Sequence, residues 1–492
     1  MTAAHQPVID LHSLKSPLTF LGNLIDDENQ LAPLKEYQAW WNAEGISISD
    51  AVDRAGTPWL RMFDQFGTRV DEILFPPEYW KMLKRGYQAG AIWRPFADDS
   101  LKMHYLLDYV TCFFDAGLGC PYIVSLSTAV PLKKYGTPEL QARFLPHLLS
   151  RDANVWQGAT WMTEAKGGSD LGAAVETTAR NAGGHWILNG DKYFASNVGA
   201  ELAIVAARPE GAPKTPQGLA LFLVPRYRED GRLNYFIRRL KNKIGTRSVP
   251  TGEVELRDSE AYLLGKPEWG IYLILESLNL SRVGNIVGSV ALAQRALADA
   301  LTFAETRVAF GKPIIEHPLL RRQFDERFAE LQDARALMWE AIERLDEVWK
   351  ETPRHSDRYH LFRLVAHLAK YWTAELAVQF AKWGMEVHGG MGVLAEYRAE
   401  RWLREAMILP IWEGTPHRQM LDGLEVMERK RAHQGLFEYL ATHANPSDLQ
   451  NISSRVEQHL ELPPAEKEAG IENIFRDLAT FTARTLARKY AR

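Results

Sequence analysis

The strongest constraint on the fold is a change of hydrophobic period along the chain. Between about 156 and 265, short apolar runs such as 202–206 and 219–224 are separated by turn residues, which predicts strands. Before and after this stretch, apolar residues recur at three- and four-residue steps, which predicts helices. Because the strands follow one another without intervening helices, the pattern predicts an antiparallel sheet or barrel and excludes a βαβ fold.

These patterns divide the chain into five segments. They are an irregular N-terminal extension (1–30), an N-terminal helical domain (31–155), a middle β domain (156–268), a C-terminal helical bundle (269–431) and a helical C-terminal tail (432–492). Long helical stretches at 271–306, 317–350 and 358–387 predict the bundle.

Local signals refine this division at three places. Thr137 and Pro138 predict a helix start, with Thr137 as the cap and Pro138 as the first helical residue. A hairpin is expected between 175–180 and 185–188, and the Asn189–Gly190 pair predicts a tight turn after it.

Composition narrows the function classes. A net charge of -4 and a pI near 6.4 give no general reason to bind nucleic acid or an anionic membrane. No uncharged apolar run of about 18 residues is present, so a membrane-spanning helix is not expected. The two cysteines, Cys112 and Cys120, suit a reducing compartment and offer no metal site. The first residues lack the pattern of a signal peptide, so a cytoplasmic location is expected.

Glu413 is the candidate with the clearest chemical rationale. It follows Ile411 and Trp412 and precedes Gly414, an apolar setting in which desolvation would raise the carboxyl pKa. A carboxylate with a raised pKa is a better proton acceptor near neutral pH. The alternative is an acidic residue in the first turn of a helix, where it favours the helix dipole.

Two glycine-containing segments are candidates for cofactor binding. Residues 390–395 match the dinucleotide fingerprint, but a long helix precedes them where that fingerprint requires a strand, so a glycine-rich helix end is the better interpretation. The loop at 162–170 carries hydroxyls and adjacent glycines whose backbone N–H groups could bind a heteroaromatic ring or a phosphate, with a plain loop as the alternative.

Taken in order, the motifs resemble the acyl-CoA dehydrogenase family. The resemblance covers about 100–430 and rests on YGTPELQARFLP (135–146), MTEAKGGSD (162–170), NGDKYFASN (189–197), KIGTRS (243–248), the Arg-x-x-Phe-Gly of 307–311, GGMG (389–392) and WEGT (412–415). It implies an α+β multidomain fold with an N-terminal helical domain, a middle antiparallel β domain and a C-terminal helical bundle.

The resemblance is closest to the AidB-like branch of that family. It rests on FPPEYW (75–80), KNKIGTRSVPTGEVEL (241–256) and MEVHGGMG (385–392) followed by IWEG. Members of this branch carry an extra C-terminal helical region implicated in DNA contact. Here 428–492 holds ten Lys/Arg against nine Asp/Glu, too little positive charge for phosphate-driven binding, so DNA binding is not expected.

The resemblance implies FAD as cofactor and no metal. Met162 and Thr163 would contact the pyrimidine edge of the flavin, Phe194 and Ser196 would line its other side, and Ser169 would reach the flavin phosphates or the CoA arm. Phe194 stands where the family often has Trp. The remaining implied cofactor residues are Arg307, Phe310, Glu386, Gly389, Gly390, Thr415 and His417. Arg307 and Phe310 would reach the FAD of a neighbouring subunit, which implies a homodimer or homotetramer. Glu386 and His417 each replace a frequent Gln.

The resemblance also implies the reaction, α,β-dehydrogenation of an acyl-CoA thioester to a trans-2-enoyl-CoA. Glu413 falls on the family's base position; some members place the base where this chain has Ser281, which cannot do that work. Substrate contacts are expected from Ser169, Trp412 and Gly414. Arg282 is a candidate contact to CoA, with a structural ion pair as the alternative.

The expected electron acceptor is an electron-transfer flavoprotein. Two other functions stay open from the sequence. One is an AidB-like flavoprotein with a protective or DNA-associated role and little turnover, and the other is an acyl-CoA oxidase that uses oxygen directly. The substrate's chain length and branching do not follow from the sequence.

Overall fold

The computed structural model describes residues 10–25, 27–152 and 154–490. The first nine residues of the expected N-terminal extension, and residue 26, lie outside the described residues. The first part of the chain contains α1 (Pro17–Leu21), α2 (Glu28–Trp40), α3 (Ile46–Ala55), β1 (Trp59–Phe63), β2 (Arg69–Leu74), α4 (Pro77–Ala89), α5 (Trp93–Ala97), α6 (Lys102–Phe114), α7 (Gly119–Tyr135) and α8 (Pro138–Leu148).

The middle part is a closed barrel with two added strands. Its elements are β3 (Gly158–Trp161), α9 (Leu171–Ala174), β4 (Thr178–Asn181), β5 (Trp186–Ser196), β6 (Leu202–Pro209), β7 (Ala220–Pro225), β8 (Phe236–Leu240) and β9 (Thr251–Leu264). The order β6-β4-β5-β9-β7 closes because β7 also pairs with β6, while β3 adds to β6 and β8 adds to β9. Pairing is antiparallel except at β3–β6 and β4–β6, which are parallel. Closure leaves those five strands without a free edge.

The last part is a helical bundle. It comprises α10 (Gly270–Thr306), the short strands β10 (Val308–Ala309) and β11 (Lys312–Pro313), then α11 (Pro318–Val348), α12 (Asp357–His388), α13 (Ala399–Ala406), α14 (Pro416–Lys430), α15 (Ala432–Leu440), α16 (Pro446–Leu460) and α17 (Pro464–Tyr490). Helix α10 is long and apolar enough to cross a membrane, but 83% of that window is buried inside the protein, as in the central helix of a bundle.

Several local predictions are confirmed. The three long stretches of the bundle form α10, α11 and α12. Helix α8 begins at Pro138, and the Thr137 side chain accepts a hydrogen bond from the Leu140 N–H at 3.4 Å, the cap that the sequence indicates. The hairpin after residue 175 is formed by β4 and β5.

The tight turn at Asn189–Gly190 was a wrong prediction. Strand β5 runs through both residues, and its pairing with β9 shifts register between Leu188 and Gly190. Gly190 has φ 150°, and a Cβ there would lie 2.5 Å from the Thr177 hydroxyl. The glycine therefore serves a bulge and a close approach between strands.

Three regions differ from their sequence-based description: the N-terminal lead-in, the N-terminal helical domain and the C-terminal tail. The lead-in is not irregular throughout, because a 3-10 turn at Leu11–Lys15 and helix α1 lie within it. The hairpin of β1 and β2 interrupts the N-terminal helices. The tail packs against the bundle: α17 contacts α11 and α12, and buried Phe475 rests on Gly423 of α14.

A buried ionic cluster joins the three parts of the chain. Arg401 of α13 is paired with Asp50 of α3 at 3.3 Å and with Asp115, after α6, at 3.1 Å. On the same helix, Glu405 accepts a hydrogen bond from the Thr246 N–H, in the β8–β9 loop, at 2.7 Å. This cluster fixes the N-terminal helices and the barrel loop against the bundle.

Candidate active site

The predicted base lies on a turn that we call the strap, residues 407–415, which connects α13 to α14. Glu413 has φ 56° and Gly414 has φ 99°. For a non-glycine residue this left-handed conformation is unfavourable, by about 1–2 kcal/mol. The alternative reading of Glu413, an acid in the first turn of a helix, is wrong because α14 begins at Pro416, three residues later.

Two buried side chains, one on α12 and one on α14, hold the strap by hydrogen bonds. The Lys370 ammonium, on α12, donates to the Pro410 and Gly414 carbonyls, each at 2.7 Å. The Gln419 side-chain amide, on α14, donates to the Glu413 carbonyl at 2.9 Å and to the Gly414 carbonyl at 3.0 Å. Four hydrogen bonds thus stabilise the strained conformation around the base.

Gln419 is itself oriented by His367. The His367 ring Nδ1 lies 2.9 Å from the Gln419 side-chain oxygen, which can only accept, so Nδ1 carries the proton. Burial lowers the His367 pKa to about 3. The ring is therefore neutral near pH 7 and acts as a fixed donor.

The electrostatics of Glu413 suit a base. Burial raises its pKa to about 7, while Arg282 and Lys370 act in the opposite direction. Among the described residues its Oε2 is buried and has no hydrogen-bond partner. A buried carboxylate oxygen without a partner is unfavourable in a folded protein and indicates that another molecule completes the site.

The loop of Met162 and Thr163 is anchored to β5. The buried Lys192 ammonium lies 2.6 Å from the Glu164 carboxylate. The next residue, Tyr193, donates its N–H to the Thr163 carbonyl at 3.0 Å. Glu164 also accepts hydrogen bonds from the Thr177 hydroxyl and the Glu176 N–H. The loop conformation is therefore set by a buried ion pair and not by the loop alone.

Cys120 joins this loop region to the strap. Burial raises the pKa of its thiol to about 12; the Lys243 ammonium and the Ser196 side chain lower it, and the Glu413 carboxylate raises it. Cys120 stands near the start of α7, Ser196 ends β5 and Glu413 lies on the strap. The structure thus brings a predicted cofactor residue and the predicted base to one junction of the three parts.

The other predicted residues near this junction have varied surroundings. Phe194 is 52% exposed, and the Lys241 ammonium lies 4.6 Å from its ring centroid. Thr415 is the N-cap residue of α14 but makes no side-chain capping bond. Met162 is buried; Thr163, Ser196, Trp412 and Gly414 are half-buried; Ser169 and His417 are exposed.

Ser281 and Arg282 are both buried on α10. The Ser281 hydroxyl pairs with the Ser127 hydroxyl at 3.1 Å. Arg282 donates to the Asn279 side-chain oxygen, and its Nε has no partner among the described residues. The structural ion pair predicted as one alternative for Arg282 is wrong, because no acidic side chain in the described part of the chain lies within ion-pair distance of it. A contact of Arg282 with CoA stays a prediction.

The remaining predicted cofactor residues lie at a distant end of the bundle. We call Arg307, Phe310, Glu386, Gly389 and Gly390 the distal residues. Lys370 and Gly389 are 19 positions apart along α12, which at the rise of a helix corresponds to about 28 Å. The structure therefore does not bring the distal residues to the strap within one chain.

The distal residues face outward. Phe310, at φ 51°, is 96% exposed, and Arg307 is exposed beside it. Nothing lies within 4 Å of where a Cβ would stand on Gly389 or Gly390. Glu386 is exposed and forms an ion pair with Lys382. A cavity of about 410 Å³ borders this end, lined in part by Phe303, His388 and Met391.

The residues of the junction fit a flavin. An exposed aromatic face at Phe194, an uncommitted cap hydroxyl at Thr415 and the anchored loop at 162–163 provide a flat surface and polar groups for a heteroaromatic ring. The open glycines and the exposed Arg307 at the distal end suit a diphosphate. No cluster of metal ligands is present among the described residues.

Sequence reasoning missed the supporting residues. Lys370, Gln419 and His367 hold the strap, Glu164 and Lys192 hold the loop, and Cys120 links the two. The sequence contained a signal for Lys192, because a lysine within a strand pattern is unusual unless it is paired with an acidic residue.

Comparison with known proteins gives three family matches. Residues 268–427 match the C-terminal domain of acyl-CoA dehydrogenases, residues 159–259 their middle domain, and residues 7–154 the N-terminal domain of the adaptive response protein AidB. Together they span the N-terminal helices, the barrel and most of the bundle.

Individual relatives agree with these matches. Acyl-CoA dehydrogenase family member 11 of Caenorhabditis elegans is 31% identical over 82% of this chain and 69% of its own length. The AidB protein of Escherichia coli (strain K12) is 29% identical over 86% of this chain and 79% of its own length.

Solved structures agree as well. The apo form of Bd2924 superimposes with a TM-score of 0.87 at 28% identity, over 98% of this chain and 96% of that one. The structure of Caenorhabditis elegans ACDH-11 in complex with C11-CoA gives 0.83 at 24% identity, over 98% and 91%.

FAD is the cofactor of the family to which these matches point. The motifs and the arrangement of helices, barrel and bundle agree with this family. The chain belongs to the acyl-CoA dehydrogenase family and carries the N-terminal domain of its AidB-like members.

Proposed function

We propose that this protein is an FAD-dependent acyl-CoA dehydrogenase that converts an acyl-CoA to a trans-2-enoyl-CoA, with Glu413 as the base. The observation that carries the proposal is the setting of Glu413. The residue is half-buried, its carboxylate oxygen Oε2 is buried and has no partner among the described residues, and burial raises its pKa to about 7. Such a group is ionised enough near neutral pH to accept a proton and basic enough to hold it.

The strap also offers a donor for the substrate carbonyl. No acceptor among the described residues takes the Glu413 backbone N–H. A thioester carbonyl bound there would receive a hydrogen bond that strengthens as negative charge develops on its oxygen. Because the α-proton becomes more acidic when that charge is stabilised, the same residue supplies both the oxyanion contact and the base.

The proposed step removes one proton and one hydride from the acyl group. Glu413 removes the α-hydrogen as a proton, the electron pair forms the α,β double bond, and the β-hydrogen leaves with its electron pair. Bound FAD would supply the acceptor for that hydride. Met162, Thr163, Phe194, Ser196 and Thr415 would hold the ring of the cofactor beside the strap.

The substrate class and the redox partner are part of the proposal. An acyl-CoA is supported by the C11-CoA complex of ACDH-11, a protein with the same fold. An electron-transfer flavoprotein is the electron acceptor typical of the family. We also propose that the protein acts in the cytoplasm as a homodimer or homotetramer, in which the distal residues of one chain complete the cofactor site of another.

The test is the absorbance of the FAD-loaded protein under anaerobic conditions, before and after addition of a panel of acyl-CoAs. Bleaching by one thioester is expected. Glu413→Gln should retain FAD and slow the bleaching by about 10²–10⁴-fold, the contribution of a positioned base. Glu425→Gln, an exposed carboxylate on α14, is the matched control and should bleach at the normal rate.

The opposing outcomes are distinct. Normal bleaching by Glu413→Gln would show that another group is the base. Flavin that no thioester bleaches, in a protein that shifts DNA in a salt-dependent manner, would favour the AidB-like protective role. Rapid reoxidation of the bleached protein by oxygen would favour an oxidase.

A further inference from the structure

The feature that the proposed reaction leaves unexplained is Lys370. Its side chain is 1% exposed, and both hydrogen bonds of its ammonium end on carbonyl oxygens, those of Pro410 and Gly414. No carboxylate in the described part of the chain lies within 4 Å of it. Burying an ammonium against neutral acceptors is unfavourable, and a neutral donor could make the same bonds. The charge itself therefore requires an explanation.

The two carbonyls identify what the ammonium acts on. Pro410 lies three residues before Glu413, and Gly414 follows it directly. Lys370 thus fixes the strap on both sides of the base, while Gln419 fixes the Glu413 carbonyl from α14. The left-handed conformation of Glu413 persists only where its surroundings over-determine it, and these contacts do so.

Charged and titratable groups reach this site from four helices. They are Cys120 from α7, Arg282 from α10, Arg363, His367, Lys370 and Glu375 from α12, and Arg418 and Asp422 from α14. Asp422 is paired with Arg418, and Glu375 is exposed. Glu413 is therefore the acid in this set that has no ion-pair partner among the described residues and remains for Lys370 to balance.

We propose that Lys370 is the positioning residue for the base: its ammonium clamps the strap at Pro410 and Gly414 and provides the positive charge against which the Glu413 carboxylate forms. The proposal rests on the proposed role of Glu413. It assigns Lys370 no contact with substrate or cofactor.

The titration behaviour agrees with this geometry. Burial lowers the Lys370 pKa to about 7; Arg282 lowers it as well, and Glu413 raises it. The Glu413 pKa, raised by burial, is lowered by Arg282 and Lys370. The two groups therefore titrate in the same range and behave as a pair.

Two substitutions separate the clamp from the charge. Lys370→Gln keeps an N–H donor for the strap but removes the charge, whereas Lys370→Met removes both. Lys350→Met, an exposed lysine that pairs with Asp99, is the matched control. In these three variants and in the unsubstituted protein, the rate of flavin reduction by the best acyl-CoA is measured as a function of pH.

Loss of the positive charge should raise the Glu413 pKa. The pH below which the rate of flavin reduction falls should therefore be about one unit higher in both Lys370 variants. Lys370→Met should also lower the maximal rate at high pH about ten-fold because the strap loosens. Lys370→Gln should retain most of that maximal rate. A purely structural lysine would lower the rate at every pH without changing the pH below which it falls.

Two measurements need no turnover and decide the inference even if no acyl-CoA reduces the flavin. An infrared titration, taken as the difference from Glu413→Gln, reports the Glu413 pKa directly, and amide hydrogen exchange reports the order of 407–415. An upward pKa shift in both Lys370 variants, with faster exchange in Lys370→Met, supports the clamp and the charge. A Glu413 pKa that does not move, or exchange that does not change in Lys370→Met, overturns the proposal while leaving the proposed function intact.

Discussion

Two opposing effects act on the Glu413 carboxyl, and burial is the larger. Burial in the strap favours the neutral acid, while Arg282 on α10 and Lys370 on α12 favour the carboxylate. Neither cation is within direct hydrogen-bonding contact of it in the described structure, so its oxygens remain available. A group balanced in this way can change protonation state near neutral pH without a change of fold.

This balance predicts the pH dependence of the reductive half-reaction. The base must be ionised to accept a proton, and its pKa is raised to about 7, so the rate should fall roughly ten-fold for each unit of pH below that value. The measurement is stopped-flow flavin bleaching at saturating acyl-CoA between pH 5 and pH 9. A rate that stays constant from pH 7 down to pH 5, as expected for a glutamate with the ordinary pKa of about 4.3, would contradict the burial argument.

Strand β5 supplies three different functions from three consecutive residues. Lys192 is buried and pairs with Glu164, Tyr193 donates its N–H to Thr163, and Phe194 projects its ring outward. A register shift between Lys192 and Ala195 interrupts the regular pairing with β9 at this point. The strand thereby fixes the loop of Met162 and Thr163 and lines the proposed flavin site with one short segment.

Breaking the ion pair should destabilise the barrel and the cofactor loop together. Lys192→Met leaves the Glu164 carboxylate buried without its cation, which should lower the free energy of unfolding by roughly 3–5 kcal/mol. FAD affinity should fall because the loop loses its anchor. Chemical denaturation with and without FAD measures both effects.

The matched control replaces both partners. Lys192→Met combined with Glu164→Gln leaves no buried charge unpaired, so this double variant should regain most of the lost stability. It should not regain full FAD affinity, since the loop anchor is still absent. Equal stability of the single and double variants would contradict the ion-pair explanation.

Elements with a local signature could be predicted from the sequence. The cap at Thr137, the three long helices and the glycine-rich end of α12 each depend on neighbouring residues. The tight turn at Asn189–Gly190 failed because a tertiary contact with Thr177 governs that glycine.

Residues that support the site could not be found in the same way. Lys370 acts on Gly414, 44 positions away, and Lys192 acts on Glu164, 28 positions away. Neither pair produces a periodic pattern or a contiguous motif, so only the folded chain identifies them.

At the scale of the whole molecule, the site belongs to no single part. Cys120 comes from the N-terminal helices, Ser196 from the barrel and Glu413 from the bundle, and the Arg401 cluster fixes the same three parts relative to one another. A site at such a junction depends on the packing of the parts. Its geometry is therefore sensitive to changes far from the strap.

The distal residues extend this dependence to a second chain. Gly389, at their end of the bundle, is about 28 Å from Lys370 along α12, and the distal residues face outward. One chain therefore cannot use both sets on one bound cofactor at the strap. A symmetric assembly in which each chain lends its distal residues to the next resolves this separation, and closed homo-oligomers are the usual form of such sharing.

This arrangement predicts that FAD and assembly are linked through Arg307. Arg307→Ala removes an exposed guanidinium proposed to pair with the cofactor diphosphate, a charge-assisted bond of about 1.5–3 kcal/mol, so FAD binding should weaken by roughly 10–100-fold. Because FAD would bridge two chains, its loss should also shift the assembly toward smaller species. Equilibrium release of FAD and sedimentation velocity with and without FAD measure the two effects, with Arg429→Ala, an exposed arginine on α14, as control. Unchanged FAD retention by Arg307→Ala, or a monomer that binds FAD at full stoichiometry, would show that the distal residues do not serve a neighbouring chain.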